Sequence, residues 1–413
     1  MKTQKKKVVL LPEAHASGTP ARSETQSVGE LEDDMRNVAL DLGNRISFCE
    51  VSDGVVVARA TVGEFGSLLR WLGPTTGKAR VAIESCREAW WAERKLREWG
   101  HEPLVVDTTR SRKLGIGQHG RKTDRIDAET LARALEAKLI PRAHVLSEHR
   151  QQLRFQLSVR RALVETRAQY MTTIRGLARA HGVRLPRSAP YGFTAAVRGE
   201  SLGEELRALV RPLLDVIDQL DPLIGEADAK LETLAQREPI TQLLKTAPGV
   251  ATVVATAFVS VVDDATRFSK AHEVQSYLGL VPSEFTSGKR RVGAITKRGN
   301  SYTRALLIQS AWAILKVKRT TDPLALWGKA IALRRGKRVA VIAVARRLVG
   351  VLWAMWCDGT VYEPSRIGPT TTEGAERQAQ SAVLRSAALK RAAQKPFYSS
   401  LLRHRAAYSH PAR

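Results

Sequence analysis

Residues 36–62, RNVALDLGNRISFCEVSDGVVVARATV, decide the fold of the N-terminal part of this chain. The segment VALDLG predicts a buried strand, and two further apolar stretches lie on either side of the pair Asp53-Gly54. An Asp-Gly pair between two such stretches is a strong hairpin signal, because the tightest turns need positive φ at both central positions. The sequence therefore predicts a three-stranded antiparallel meander.

The segments that follow the meander alternate between helix and strand. They are predicted as a helix over 63–72, a fourth strand in RVAIES (80–85), a helix over 87–100 that Gly100 ends, and a fifth strand in PLVVD (103–107). The order β-β-β-α-β-α-β-α is that of a ribonuclease-H-like domain. The actin and sugar-kinase fold begins in the same way, so both remain open at this point.

Composition divides the rest of the chain. Leu, Arg, Glu and Ala recur at helical spacing over 146–236, with a Pro- and Gly-bearing break near 182–203, which predicts two long helices that self-associate or bridge domains. The expected fold class is α/β plus α. The expected segments are a flexible basic and polar arm (1–35), a ribonuclease-H-like domain (36–145), a helical coiled-coil linker (146–240), a basic, mostly helical domain (241–362) and a basic, partly disordered tail (363–413).

The charge of the chain points to a polyanionic partner. The 413 residues include 66 Lys+Arg and 41 Asp+Glu, a formal net charge of +25. Nucleic acid is the leading candidate, although charge alone does not separate an enzyme from a coat protein. Three cysteines without zinc-ligand spacing fit a reducing cytoplasm. The uncharged run 246–262 is shorter than the roughly 20 residues of a membrane span and predicts a buried helix, so no membrane is expected.

Four acids stand at positions that this fold brings together. Asp41 lies in the first strand and Glu84 ends the fourth, and these two strands are neighbours in a ribonuclease-H sheet. Asp124 and Asp127 are three residues apart in RKTDRIDAETLARAL, on one face of a predicted helix. Clustered carboxylates need a cation, and oxygen ligands suit Mg²⁺ or Mn²⁺. The ordinary alternative for each acid is solvated charge, and Asp107 is the nearest competitor.

The C-terminal domain carries a dense run of cations. Between 289 and 347 there are sixteen Lys or Arg and one acid, Asp322. GKRRVGAITKRGNSYTRALL is predicted as a glycine-bearing basic loop that leads into a helix and binds phosphates. The candidate nucleic-acid-binding residues are Lys289, Arg290, Arg291, Lys297, Arg298 and Arg304.

A serine precedes these cations in FTSGKRR. The Ser287 hydroxyl could attack a phosphate whose charge the neighbouring cations stabilise. The ordinary alternative is a turn serine, and Ser283 is an equally open candidate.

Several stretches together resemble one family. VALDLG, AIES and KTDRIDAETLA, followed by TAPGV, FVSVVDDATRFSKAHEVQSYLGLVPSEFTSG and ITKRGNSYTRALL, are similar to the DEDD-type insertion-sequence transposases, also called bridge-RNA-guided serine recombinases. The resemblance covers about 36–357. It implies a RuvC-like domain in which Asp41, Glu84, Asp124 and Asp127 bind metal, and a serine transposase domain in which Ser287 is the nucleophile that links covalently to DNA.

The resemblance also implies partners. They are donor and target DNA, a structured non-coding guide RNA that pairs with both, and further copies of the chain. A dimer or tetramer is expected, in which the carboxylate domain of one subunit meets the serine domain of another. The expected location is the cytoplasm, in association with the nucleoid.

Other functions remain open on the residues alone. One is a RuvC-like resolvase that hydrolyses branched DNA with the four acids and water. Another is a non-catalytic nucleic-acid-binding protein in which the acids are remnants. A sugar-kinase-like ATPase would need a second phosphate-binding glycine motif, and the C-terminal half has no such motif. The N-terminal arm and the tail after Glu363 lie outside the resemblance.

Overall fold

The computed structural model describes residues 35–113, 124–287 and 289–366, except for the side chains of 112–113, 124–126, 285–287 and 289–292. The predicted N-terminal arm and nearly all of the predicted tail lie outside these ranges. The chain divides into two compact units, Met1–Val145 and Leu146–Arg413. In the described residues the first unit is α/β and the second is mostly helical, which confirms the mixed fold class.

The N-terminal unit contains a five-stranded sheet of order β3-β2-β1-β4-β5. Its strands are β1 (Arg36–Leu42), β2 (Ile46–Ser52), β3 (Val55–Val62), β4 (Ala79–Glu84) and β5 (Glu102–Val106). The first three strands pair antiparallel, whereas β4 pairs parallel with both β1 and β5. Asp53 and Gly54 form the turn of the predicted hairpin with φ of 51° and 71°. This topology is compatible with a ribonuclease-H-like domain.

Helices cover both faces of the sheet. They are α1 (Leu69–Leu72), α2 (Ala89–Glu98), α3 (Thr108–Lys113) and α4 (Asp124–Glu136). On one face Leu40 and Ile83 pack with Leu96 of α2, and on the other Ala39 and Ala82 pack with α4. The central strands β1 and β4 are thus buried on both sides, which explains their nearly continuous apolar sequences.

Two long antiparallel helices open the C-terminal unit. They are α5 (Glu148–Ala180) and α7 (Glu204–Gln236), with the short helix α6 (Phe193–Arg198) between them. Arg160 pairs with Asp228, and Arg167 pairs with Asp221 at 2.5 Å. The residue later in α5 thus pairs with the residue earlier in α7, which shows that the two helices are antiparallel. The two predicted long helices are therefore present as a hairpin, while their coiled-coil character stays a prediction.

The remaining helices enclose one large apolar core. They are α8 (Pro239–Leu244), α9 (Thr252–Val262), α10 (Ala271–Tyr277), α11 (Ser301–Lys316), α12 (Pro323–Arg335) and α13 (Lys337–Asp358). Residues 255–262 of α9 are buried, as predicted for the uncharged run. By length and composition α13 alone among the described helices could cross a membrane. Its Val344, Leu348 and Leu352 are fully buried in this core, which identifies it as a core helix.

A β-hairpin interrupts these helices. The prediction of a loop over 282–291 is wrong, because the segment forms β6 (Pro282–Ser287) and β7 (Lys289–Ile295), which pair antiparallel. Its residues are mostly polar or small, and they lack the apolar alternation that marks a strand in sequence. Backbone pairing and the adjoining chain define the hairpin instead.

Two glycines hold the base of this hairpin. Gly279 (φ +69°) follows α10, and Gly299 (φ +79°) follows β7. A Cβ at Gly279 would lie 2.0 Å from the carbonyl oxygen of Arg298, and one at Gly299 would lie 2.0 Å from that of Tyr277. The Lys297 amide also donates to the Gly279 carbonyl at 3.1 Å. Only glycine permits this approach of two backbone segments, which sets where β7 leaves the core.

We expect Gly299→Ala to lower the free energy of unfolding by about 4 kcal/mol or more, since it combines left-handed strain with a backbone clash. The control is Gly359→Ala in the same unit, where φ is +64° and no atom lies within 4 Å of the added Cβ. The control should cost only about 1 kcal/mol. Urea denaturation followed by tryptophan fluorescence measures both values, and equal losses would show that the close approach contributes nothing.

Candidate active site and nucleic-acid interface

Asp41 lies one residue before the end of β1, and Glu84 ends the neighbouring strand β4. The last paired residues of β1 and β4 include Leu40 opposite Ile83, and Asp41 and Glu84 are the next residue of each strand. Because the strands are parallel, both acids lie at the same edge of the sheet. Both are partly exposed. The strand pairing therefore brings together the two acids that the sequence places on different strands.

Both acids belong to the sheet face that α4 covers. Side chains alternate along a strand, so Asp41 shares a face with Ala39, and Glu84 shares a face with Ala82. Ala39 and Ala82 are buried in a cluster that includes Leu131 of α4. The edge that carries the two acids thus adjoins the helix that carries the other two.

The direction of α4 follows from its last turn. Arg133 donates to the carbonyl of Gly54, and the Gly54 amide donates to Glu136 at 3.1 Å. Gly54 lies in the β2–β3 turn, at the end of the sheet where β1 begins. The 13 residues of α4 extend about 20 Å from there, roughly the length of β1. The start of α4 therefore lies toward the Asp41 end of the sheet.

The remaining acids occupy the first turn of α4. Asp127 is partly exposed, and Asp124 is the first helical residue, with a side chain outside the described part of the structure. Within the side chains that are described, no three His, Cys, Asp or Glu residues form a group able to hold a metal ion. Asp41, Glu84 and Asp127 nevertheless supply the oxygen ligands that a divalent cation prefers.

Two further acids of this unit have structural contacts. Asp107 accepts hydrogen bonds from the amides of Thr109 and Arg110, both at 3.0 Å, and so caps α3. Glu129 bonds Arg133 on its own helix and Arg59 on β3. Sequence reasoning missed the contact between Glu129 and Arg59, which holds α4 against the sheet. The feature that could have indicated it is an arginine on the face of β3 that α4 covers.

The candidate nucleophile lies at the end of the β6–β7 hairpin. Ser287 pairs with Lys289, the last pair before the turn, and its side chain lies outside the described part. Ser283 differs from it in position. The Ser283 hydroxyl donates to the carbonyl of Ala294 at 2.9 Å, so its proton is engaged in bracing the hairpin.

The six candidate cations occupy different environments. Lys297 and Arg298 are exposed, as a phosphate-binding side chain must be. Arg304 is only 8% exposed, and its guanidinium donates to the carbonyls of Leu278 at 3.1 Å and Arg298 at 2.9 Å. Burial lowers the pKa of Arg304. This residue therefore braces the loop, which differs from the expected phosphate contact. The side chains of Lys289, Arg290 and Arg291 lie outside the described part.

Comparison with known proteins gives two family matches. A family described as a DEDD transposase matches residues 50–181, and the transposase family IS116/IS110/IS902 matches residues 241–324. The transposase for insertion sequence element IS1111A of Coxiella burnetii is 30% identical over 248 residues, which cover 58% of this chain and 68% of the relative. The chain belongs to the IS116/IS110/IS902 family of transposases.

Other relatives of this transposase extend the coverage. A probable family 20 transposase of Pseudomonas aeruginosa is 28% identical over 69% of this chain and 86% of the relative. The transposase for insertion sequence element IS1328 of Yersinia enterocolitica is 26% identical over 79% of this chain and 98% of the relative. Membership supports an enzyme that acts on DNA by cutting and rejoining it, and the DEDD domain implies a divalent metal.

The matched ranges bear on the candidate residues unequally. Glu84, Asp124 and Asp127 fall within the matched DEDD range, and Ser287 falls within the second. Asp41 lies before the matched residues. Its assignment therefore depends on the pairing of β1 with β4.

We expect Arg304→Ala to destabilise the transposase by about 3 kcal/mol, because the buried carbonyl of Leu278 and the part-buried carbonyl of Arg298 lose a charged donor. The matched control is Lys297→Ala, which should leave the free energy of unfolding unchanged. The control should instead weaken duplex DNA binding and reduce the slope of log affinity against log salt by about 0.9. Urea denaturation and fluorescence anisotropy measure the two effects. Normal stability with lost affinity in Arg304→Ala would identify Arg304 as a phosphate contact.

Proposed function

We propose that this transposase cuts and rejoins the DNA of an insertion sequence by transesterification. Asp41, Glu84, Asp124 and Asp127 form its metal site, and Ser287 is its nucleophile. The observation that supports the proposal is the parallel pairing of β1 with β4, which brings Asp41 and Glu84 to the same edge of the sheet, next to the helix that carries the other two acids.

Carboxylate oxygens such as those of the four acids are the ligands that Mg²⁺ or Mn²⁺ prefers. A divalent cation would offset the repulsion between carboxylates brought to one edge of the sheet. When bound, a divalent cation would polarise a phosphate oxygen and stabilise the charge that develops at phosphorus. The four carboxylates would bind and orient it.

Ser287 is the candidate for the covalent step. Attack of its hydroxyl oxygen on phosphorus forms a phosphoserine ester, breaks the bond to one deoxyribose oxygen, and transfers the serine proton to that oxygen. Attack by a hydroxyl of a second strand then reverses the exchange, which joins the strands and frees the serine. A position beside a hairpin turn suits this role, and Ser283 is already engaged with Ala294.

Charge and resemblance together support the nucleic-acid partners. The net charge of +25 favours salt-sensitive binding to phosphates, and the cations after Ser287 lie next to the proposed nucleophile. Donor and target DNA are the substrates, and a structured non-coding RNA is the proposed guide. Such an enzyme would act in the cytoplasm, at the nucleoid.

Self-association as a dimer or tetramer has support from the surface of α7. Leu209, Val216 and Leu223 are 48%, 37% and 46% exposed and recur every seven residues. A heptad of exposed apolar side chains is the pattern of a helix that packs against another copy. The proposed active site accordingly combines the carboxylates of one subunit with the serine of another.

We expect Asp127→Asn to lower the rate of Mg²⁺-dependent strand cleavage by roughly 10³-fold or more, because a metal ligand is lost. Asp107→Asn is the matched control, since asparagine also caps a helix and the residue is a structural acid. Both variants should unfold at the wild-type temperature. Cleavage by labelled-DNA assay that survives in Asp127→Asn would remove this residue from the site.

We expect Ser287→Ala to abolish a covalent protein–DNA adduct on labelled DNA, whereas Ser283→Ala retains it. Mixing Ser287→Ala with Asp127→Asn subunits should restore part of the activity, because one mixed site in the assembly then has both intact parts. An adduct that persists in Ser287→Ala and disappears in Ser283→Ala would identify the other serine. Cleavage without any adduct would favour the hydrolytic resolvase, and failure to restore activity would place the site within one subunit.

A further inference from the structure

A basic cavity lies where α5 ends and the chain turns back toward α6. It has a volume of about 1020 Å³, and its lining includes Arg175, Arg179, Arg184 and Arg187. None of the described residues that line it is acidic. We refer to residues 175–193, which contain this cavity, as the hairpin tip.

The charge of the hairpin tip is not balanced locally. From Arg167 to Arg198 the sequence contains six arginines and no Asp or Glu. Farther down α5, Arg160 and Arg167 pair with acids of α7. In the described part of the chain, by contrast, none of the four cavity arginines forms an ion pair. Holding these like charges together is unfavourable unless an anion binds among them.

A residue with a buried hydroxyl also lines this cavity. Ser188 lines the cavity, and its Oγ is buried with no hydrogen-bond partner among the described residues. Buried polar atoms are normally paired, so an orphaned hydroxyl marks a place where a ligand completes the bonding. A phosphate oxygen would accept its hydrogen bond.

Aromatic rings extend the basic surface. Tyr191 is 58% exposed, and the guanidinium of Arg167 lies 4.6 Å from the centre of its ring. The guanidinium of Arg175 lies 4.6 Å from the centre of the buried Phe193 ring. Arg167 is itself buried and paired with Asp221, so it packs against the Tyr191 ring and does not contact phosphate. Cations that alternate with an exposed ring are the features that bind unpaired nucleotides.

We propose that the hairpin tip binds an unpaired stretch of nucleic acid, with phosphates in the arginine cavity and one base stacked on Tyr191. The inference rests on the proposed function, because both require the protein to bind nucleic acid. It adds the hairpin tip as a binding surface separate from the basic segment after Ser287. A paired strand keeps its bases stacked within the duplex and does not present one to an exposed ring. An RNA strand and a DNA strand share the chemistry that this surface recognises.

The test uses the full chain and the variant Arg179→Ala/Arg184→Ala/Arg187→Ala, whose three positions are exposed. The control Arg211→Ala/Lys230→Ala/Arg237→Ala removes the same charge from exposed positions of the same helical hairpin. The probes are fluorescein-labelled oligouridylate, oligothymidylate of equal length, and a DNA duplex. We expect at least about tenfold weaker single-strand binding in the tip variant alone, with a salt slope shallower by about 2.

Tyr191 separates stacking from charge. Tyr191→Ala should weaken single-strand binding about tenfold, whereas Tyr191→Phe keeps the ring and the affinity. Equal thermal unfolding of all variants confirms that folding is unchanged.

The results distinguish an RNA strand from a DNA strand as the ligand, and they separate this inference from the proposed function. Loss for oligouridylate alone supports an RNA strand, loss for oligothymidylate alone supports a DNA strand, and loss for both supports the shared strand chemistry. Single-strand affinity equal to that of the control, or a loss confined to the duplex, overturns the inference. Neither of those results bears on the Ser287 adduct, so the proposed function would stand. If the adduct were absent and the hairpin tip still bound single strands, the proposed function would fail and this inference would stand.

Discussion

The parallel pairing of β1 with β4 is the constraint on which the N-terminal unit depends. Val38, Leu40, Val81 and Ile83 are fully buried on one face, and Ala39 and Ala82 are fully buried on the other. A parallel pair requires a crossover, and the chain makes it through β2, β3 and α1 before β4 returns beside β1. Because the two strands end together, their terminal acids do as well.

The free-energy cost of placing two carboxylates at one edge of the sheet is lower where that edge is partly exposed to solvent. Two adjacent carboxylates are tolerable at a partly exposed edge, whereas the same pair two residues earlier would lie in a fully buried core. The contacts of Glu129 and Arg133 then hold α4 against β2 and β3 by side chains remote from the edge.

The C-terminal unit separates charges that support the fold from charges that remain at the surface. α7 carries eight acids and three basic residues, and two of these acids pair with Arg160 and Arg167 of α5. Arg304 is likewise committed to backbone carbonyls. Among the described residues, the four arginines of the cavity at the hairpin tip form no ion pair, and Lys297 and Arg298 are exposed.

Much of this architecture was predictable from local sequence. The strand pattern, the Asp53-Gly54 turn, the two long helices and the buried helix α9 all follow from periodicity and turn chemistry, which act over a few residues. The four acids were singled out by their predicted strand and helix positions, whereas the role of Ser287 as nucleophile came from the family resemblance and stays a prediction. Tertiary structure alone decided three matters: that β6 and β7 form a hairpin, that Arg304 is buried, and that the hairpin tip encloses a cavity. Each depends on contacts between residues distant in the chain, such as Gly299 against Tyr277, and no local pattern encodes such contacts.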